Sequence, residues 1–311
     1  MNTKAERLAR LVGKLAGLAA VLTLVVITVS ALLRLAQAGL GCEPWPQCYG
    51  AARAVPWLDA VRAMHRVSAL AVGLIVLMTF VLAASGGRAA ARLAILAGAA
   101  LAVVVFLTWV GIITPGSRLP AIALANLLGG MTLFALLWGL FHAAGSAGKT
   151  VPWRADAIAL IAIPLLFTQI GLGALAHATF SSASCPTLAG CAVSEWLPLL
   201  AAPAFDPFQP VAVVDGHSMP RAGAGAVQMT HRALALGVAA WLAWVAWRAW
   251  QVSAARASAL ALAGLLILQI GTGTLLVMLQ MPLATAAAHN VAASLLLAAL
   301  LRVVLRLRAA P

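Results

Sequence analysis

The sequence predicts an all-α integral membrane protein with eight transmembrane helices, built as two tandem four-helix bundles. Three observations predict it: the composition, the spacing of charge-free runs, and a set of short motifs that recurs between the halves. Of 311 residues, 64% are hydrophobic and 9% are charged. A soluble domain carries roughly 25% charged residues, so this chain cannot cover itself in water.

A spanning helix needs about 20 apolar residues, and the charge-free runs supply them in order. Leu15 to Leu33 lies between Lys14 and Arg34, and Val67 to Gly87 lies between Arg66 and Arg88. Leu93 to Ser117 and Leu119 to Gly148 follow, separated by a turn at Pro115-Gly116-Ser117-Arg118-Leu119-Pro120. The fifth span runs from Asp156 to about His177, and the sixth covers Val227 to Trp247. Ala257 to Leu301 is too long for one span, and Gln280-Met281-Pro282 divides it into the seventh and eighth. The first run exceeds a typical signal-peptide core, and no small-residue cleavage pattern follows Arg34, so it reads as a span.

Basic residues set the expected topology. The two ends and the even-numbered junctions hold Lys4, Arg7, Arg10, Lys14, Arg88, Arg92, Lys149, Arg154, Arg248, Arg256, Arg302, Arg306 and Arg308, thirteen of the 20 Lys and Arg. Positive charge accumulates on cytoplasmic loops, so both termini are expected there. Trp153, Trp247 and Trp250 mark the same boundary as an aromatic belt. The net charge of +13 is thus mostly a topology signal and gives no reason to expect a nucleic-acid partner; lipid surrounds the chain.

The two long loops, 36–61 and 178–225, fall outside by this topology. They hold all four cysteines, as Cys42-x5-Cys48 and Cys185-x5-Cys191. Each pair follows the first helix of its half. Next, His65-Arg66 opens the second helix and His231-Arg232 the sixth, each within His-Arg-x-x-Ala-Leu. Four spans per half give both halves one orientation, a parallel repeat about the membrane normal. The halves divide at residues 1–150 and 151–311. An oxidising compartment favours a disulfide within each loop, Cys42–Cys48 and Cys185–Cys191. Redox-active dithiols are the alternative, and two cysteines without a nearby histidine make an incomplete metal site.

His65, His231 and His289 fall near the outer ends of helices two, six and eight. An ionisable residue within a span is costly and usually has a task. His231 and His289 share the C-terminal half, where two imidazoles projecting into a four-helix bundle suit the axial positions of a haem. Arg66 and Arg232 sit beside the histidines, placed either to pair with haem propionates or to snorkel to water. His142 reads as interfacial; His177 and His217 receive no role. The seven acids lie outside the predicted spans, which disfavours an ion-coupled transporter.

Over nearly its full length the chain resembles the haem A synthase family. The matching pieces are Arg34 to Gly50 (RLAQAGLGCEPWPQCYG), His65-Arg66, Gly129-Gly130-Met131, Thr230-His231-Arg232 and His289-Asn290. The resemblance implies an oxidoreductase that converts haem O to haem A, methyl to formyl, for cytochrome oxidase. It implies haem b on His231 and His289, with substrate haem iron on His65. Haem O synthase and an electron donor are the implied partners. Two positions depart from the family pattern. Asn126 stands where the family has a histidine before Leu127-Leu128-Gly129-Gly130-Met131, and Arg62 stands where it has a glutamate three residues before His65. Asn126 is then expected to offer hydrogen bonds rather than an iron ligand, across a pocket from His65. The nearest acid is Asp59. The alternative reading is a non-catalytic b-type haem-binding or electron-transfer membrane protein. A thiol–disulfide oxidoreductase is third, because its usual cysteine spacing is the tighter C-x-x-C.

Overall fold

The computed structural model describes residues 3–37, 56–146, 156–185, 187–188 and 203–308. Eight long helices make up most of them: α1 (Thr3–Gln37), α2 (Leu58–Ser85), α3 (Ala91–Ile113), α4 (Pro120–Gly145), α5 (Ala157–Ala178), α6 (Ala224–Trp250), α7 (Arg256–Met278) and α8 (Leu283–Arg308). Each is long and apolar enough to cross a membrane, so the charge-free runs had located all eight. Between α5 and α6 lies a short antiparallel hairpin, β1 (Val213–Val214) with β2 (His217–Ser218). Cys42, Cys48 and Cys191, and with them both predicted cysteine pairings, lie outside the described residues.

The helices overrun the apolar runs at their polar ends. The 35 residues of α1 reach about 50 Å at 1.5 Å per residue, against a hydrocarbon core of about 30 Å. The excess carries Lys4, Arg7, Arg10 and Lys14. Inside the spans, hydroxyls return to their own helix: Thr23 donates to the Ala19 carbonyl, Thr79 to Ile75 and Thr179 to Leu175, at 2.6–2.7 Å. Lipid offers no other partner for such groups.

Termini use local chemistry. At α5, the Asp156 side chain caps the first turn by accepting from the Ala159 N–H at 3.0 Å, and its other oxygen meets Arg248 of α6 at 3.3 Å. The break at Gln280-Met281-Pro282 is a Schellman turn. Met281 N–H donates to the Leu276 carbonyl at 2.8 Å and Gln280 N–H to Val277 at 3.1 Å. Both residues take positive φ, 58° and 62°. Glycine normally fills the first of these positions, because a Cβ is disfavoured there. Here burial of Met281 against Leu276 and Ala286 supplies the hydrophobic contact that accompanies the motif.

In the first half, α1 packs on α2 and α4, α2 on α3, and α3 on α4, which closes a ring. In the second, α5–α6, α6–α7, α7–α8 and α5–α8 contacts close another. The rings meet along α1–α8, α4–α5 and α4–α8. Met131 and Leu137 of α4 and Leu296, Leu297 and Leu300 of α8 are fully buried there or nearby. Trp138 crosses this seam, its indole N–H donating to the Ala298 carbonyl at 3.1 Å. Outward-facing residues such as Val67, Leu70, Ile95, Ile112 and Ile267 are largely exposed. An apolar exterior of this extent suits lipid rather than water.

Gln280→Gly should stabilise the protein by roughly 1 kcal/mol, because it removes a Cβ from a left-handed position. The thermal unfolding midpoint in detergent should rise; a fall would contradict the capping role.

Candidate functional site

The second ring carries two histidines on facing walls. His231 sits in the second turn of α6, and His289 in the second turn of α8. Each ring lies over a glycine of a neighbouring helix. A Cβ built on Gly173 of α5 would come within 2.9 Å of His231 Cε1, and one on Gly273 of α7 within 3.0 Å of His289 Cε1. Real Cβ atoms essentially never come as close as the first distance and rarely as close as the second, so glycine makes room for each imidazole.

A glutamine one turn before each glycine holds the same ring. Gln169 Nε2 lies 3.1 Å from His231 Nδ1 and donates to the His231 carbonyl at 3.0 Å. Gln269 Nε2 lies 3.1 Å from His289 Nε2, and Thr272 Oγ1 lies 3.2 Å from His289 Nδ1. Residues at i and i+4 share a helix face, so glutamine and glycine form one cradle. The segments are Gln169-Ile170-Gly171-Leu172-Gly173 and Gln269-Ile270-Gly271-Thr272-Gly273. With Nδ1 occupied, His231 keeps Nε2 for another partner. His289 has both nitrogens in polar contact, so ligation through Nε2 requires Gln269 to turn aside. Gln169 Oε1 and Gln269 Oε1 are buried without a hydrogen-bond partner, so these amides are not locked in their present poses.

Both histidines line one cavity of about 630 Å³, within the roughly 300–1,000 Å³ usual for cofactor sites. Its walls are mainly apolar, with Ile170, Leu242, Leu266 and Leu296 from the second half and Leu127 and Met131 from α4 of the first. Besides the two histidines and their glutamines, polar groups enter from Arg34 of α1, His177 of α5, Ser182, Gln228 and Arg232 of α6, Thr274 of α7 and Asn290 of α8. Asn290 Oδ1 is buried without a partner.

This chemistry fits a haem better than a bare ion. Among the described residues no group of three or more His, Cys, Asp or Glu side chains is placed to share a metal. Two imidazoles alone make an incomplete coordination shell, which a macrocycle with four ring nitrogens would complete. Orphaned buried polar atoms around an apolar cavity point the same way.

The remaining predicted residues are dispersed. Arg232 donates to the carbonyls of Thr187 and Cys185 at 2.7 and 2.9 Å, pinning the cysteine segment to α6 while it lines the cavity. Arg66 is exposed. His65 packs against Val26 of α1, and its Nδ1 is buried without a hydrogen-bond partner. Asn126 donates to Thr114 Oγ1 at 2.9 Å, at the end of α3. Arg62 pairs with Asp59 at 2.6 Å on an exposed turn. Neither His65 nor Asn126 belongs to the cavity around His231. His142 faces Arg302, with Nδ1 2.7 Å from the guanidinium.

Sequence reasoning missed Gln169, Gln269, Gly173, Gly273, Thr272, Arg34 and His177. The duplicated Gln-Ile-Gly-x-Gly was the available signal for the first four. Nothing in the sequence said that α1 and α4 would reach across into the second ring.

Residues 60–301 match a family whose description is COX15-CtaA, cytochrome oxidase assembly protein. The chain is 30% identical over 318 residues to the Heme A synthase of Shewanella oneidensis, covering 91% of this chain and 92% of that protein. Eight apolar helices, a histidine-lined cavity and these two matches together place the chain in the COX15-CtaA family of membrane proteins for cytochrome oxidase assembly.

Proposed function

We propose that this protein is a haem A synthase, a multi-pass membrane oxidoreductase that converts haem O to haem A for cytochrome oxidase. The convergence of His231 and His289 into one apolar, glycine-backed cavity, within a chain of this family, carries the reading. We assign that cavity to haem b, which when bound supplies one-electron redox chemistry at its iron. His231 and His289 would hold the iron; Gln169 and Thr272, each at a ring Nδ1, would orient the imidazoles; the apolar walls would exclude water.

The substrate site is assigned to the first ring, residues 1–150, with His65 as the ligand to haem O iron, and the cofactor site to residues 151–311. The halves are then tandem repeats. Aligning Cys42 with Cys185 puts Val26 in register with Gln169, and His65 packs on Val26 as His231 does on Gln169. Methyl-to-formyl conversion balances as two hydroxylations, each using one dioxygen and two donor electrons and releasing one water, followed by loss of water from the gem-diol; a redox-competent haem in the adjoining ring would relay the donor's electrons. Arg66 and Arg232 remain assigned to the outer edge of the two haems, Arg232 with both terminal nitrogens already donating to the Thr187 and Cys185 carbonyls. Both termini are assigned to the cytoplasm, with the cysteine loops outside, each stapled by its own pair. Complete burial of Cys185, with no free cysteine among the described residues, supports the second staple.

One observation favours the second reading, a haem-binding protein without catalysis. Asn126 is engaged by Thr114 and Asp59 by Arg62, so neither is free to handle a proton beside His65 as they stand.

Membranes supplied with haem O and a reductant should yield haem A on extraction, and His65→Ala should abolish the product while sparing the haem b spectrum. Absence of haem A from the parent protein would favour the second reading. His231→Ala or His289→Ala should remove the low-spin spectrum of the purified protein. Gly173→Ala should perturb that spectrum, because its new methyl meets the His231 ring; an unaltered spectrum would argue against ligation by that imidazole. Mass spectrometry without reductant should find Cys42–Cys48 and Cys185–Cys191 peptides, and cross-pairing between loops would contradict the separate staples.

A further inference from the structure

The cavity of the second ring is not built by the second ring alone. Arg34 stands near the end of α1, the first helix of the first half, yet it lines the cavity that holds His231 and His289. The route is the α1–α8 seam, where Ala31 and Leu35 pack with Val277, Met281 and Ala286. Leu35 also lines the cavity. Arg34 is half-buried, and His177 of α5, which also lines the cavity, meets its backbone.

Arg34 has no anionic partner among the described residues. The ion pairs there are Arg62–Asp59 and Arg248–Asp156, both elsewhere. A half-buried guanidinium facing an apolar cavity without a counter-charge is costly, more so beside lipid. Arg232, the other cation at this cavity, already donates through both terminal nitrogens to loop carbonyls. His177, an imidazole, supplies no negative charge to balance it. The missing component is therefore an anion, delivered by whatever fills the apolar space behind it. A carboxylate on the edge of a macrocycle meets that description, and a guanidinium fork matches carboxylate geometry.

We propose that Arg34 binds a carboxylate of the porphyrin held between His231 and His289, so that the cofactor site of the second half is completed by a residue of the first. This rests on the haem reading of that cavity. Its consequence is that the two halves are coupled: the end of α1 must be docked against α8 before the cofactor is fully held. The bound orientation is also fixed, with the carboxylate edge toward Arg34 and the hydrophobic edge toward Leu242 and Leu266.

The test uses full-length protein, iron protoporphyrin IX, and its dimethyl ester, which has the same macrocycle without free carboxylates. Transfer of haem to a soluble scavenging apoprotein gives the off-rate. In Arg34→Gln the free-acid haem should leave on the order of tenfold faster, the loss of about one charged hydrogen bond. Arg34→Lys should recover part of the retention. The dimethyl ester should leave wild type and Arg34→Gln at similar rates. The haem midpoint potential should fall in Arg34→Gln, because a nearby positive charge favours the reduced iron. Equal loss of both porphyrins in the variant would indicate a structural role and overturn the proposal, as would a wild-type off-rate for the free acid. If Arg34→Gln does not fold, Arg34→Lys replaces it: the free acid should leave faster than from wild type and the ester at the wild-type rate, and a wild-type off-rate for the acid would count against Arg34. Wild-type protein that binds neither porphyrin would refute the haem reading itself, a different failure from a bound haem indifferent to Arg34.

Discussion

The structure depends on how polar groups are carried into an interior that offers them no water. Four side chains bear most of that demand in the second ring: His231, His289, Gln169 and Gln269. Each histidine is admitted by a glycine that leaves room for the ring and by a glutamine that contacts one of its nitrogens. Without the glycine the ring would be displaced, and without the glutamine a buried nitrogen would be unpaired at a cost of about 1–3 kcal/mol. The cavity, its apolar lining and its few polar points follow from that solution. Hydroxyls elsewhere in the spans obey the same constraint more simply, by bonding back to their own helices.

The first ring solves the problem differently. In the cysteine register, Val26 and Ser30 stand where the second half has Gln169 and Gly173, and Arg34 stands where it has His177. His65 therefore has no side-chain amide at its ring; it meets the Val26 backbone, and its Nδ1 is left without a partner. Asn126 turns to Thr114 rather than across the ring. A less constrained imidazole suits a site where a substrate must enter and product must leave. A doubly cradled pair suits a resident cofactor. The asymmetry between the rings fits the proposed division into substrate and cofactor halves, and Arg34 of the first half lines the cavity of the second.

Much of this was legible from sequence because the bilayer imposes simple rules. Span length and the absence of charge located all eight helices, and the repeat of His-Arg-x-x-Ala-Leu singled out His65 and His231. Ends were less legible: α6 begins at Ala224, three residues before the expected Val227, because the small residues Ala224-Gly225-Ala226 add a turn of helix with little hydropathy signal. The break at Gln280-Met281-Pro282 was visible through its proline, but the Schellman geometry was not, since the residue at the left-handed position is not glycine. The cradle was written in the sequence as two Gln-Ile-Gly-x-Gly segments, yet its meaning required knowing which helices face each other. Arg34 looked like an ordinary boundary cation, and its role at the cavity became visible only through the α1–α8 seam.

An experimentally phased density map of the full-length protein, purified with the cofactor it acquires during expression, tests the central claim most directly. The account predicts planar macrocycle density between His231 and His289, with Gln269 turned away from His289 Nε2. Lipid tails or packed side chains filling that cavity, or a macrocycle bound without either imidazole, would contradict it.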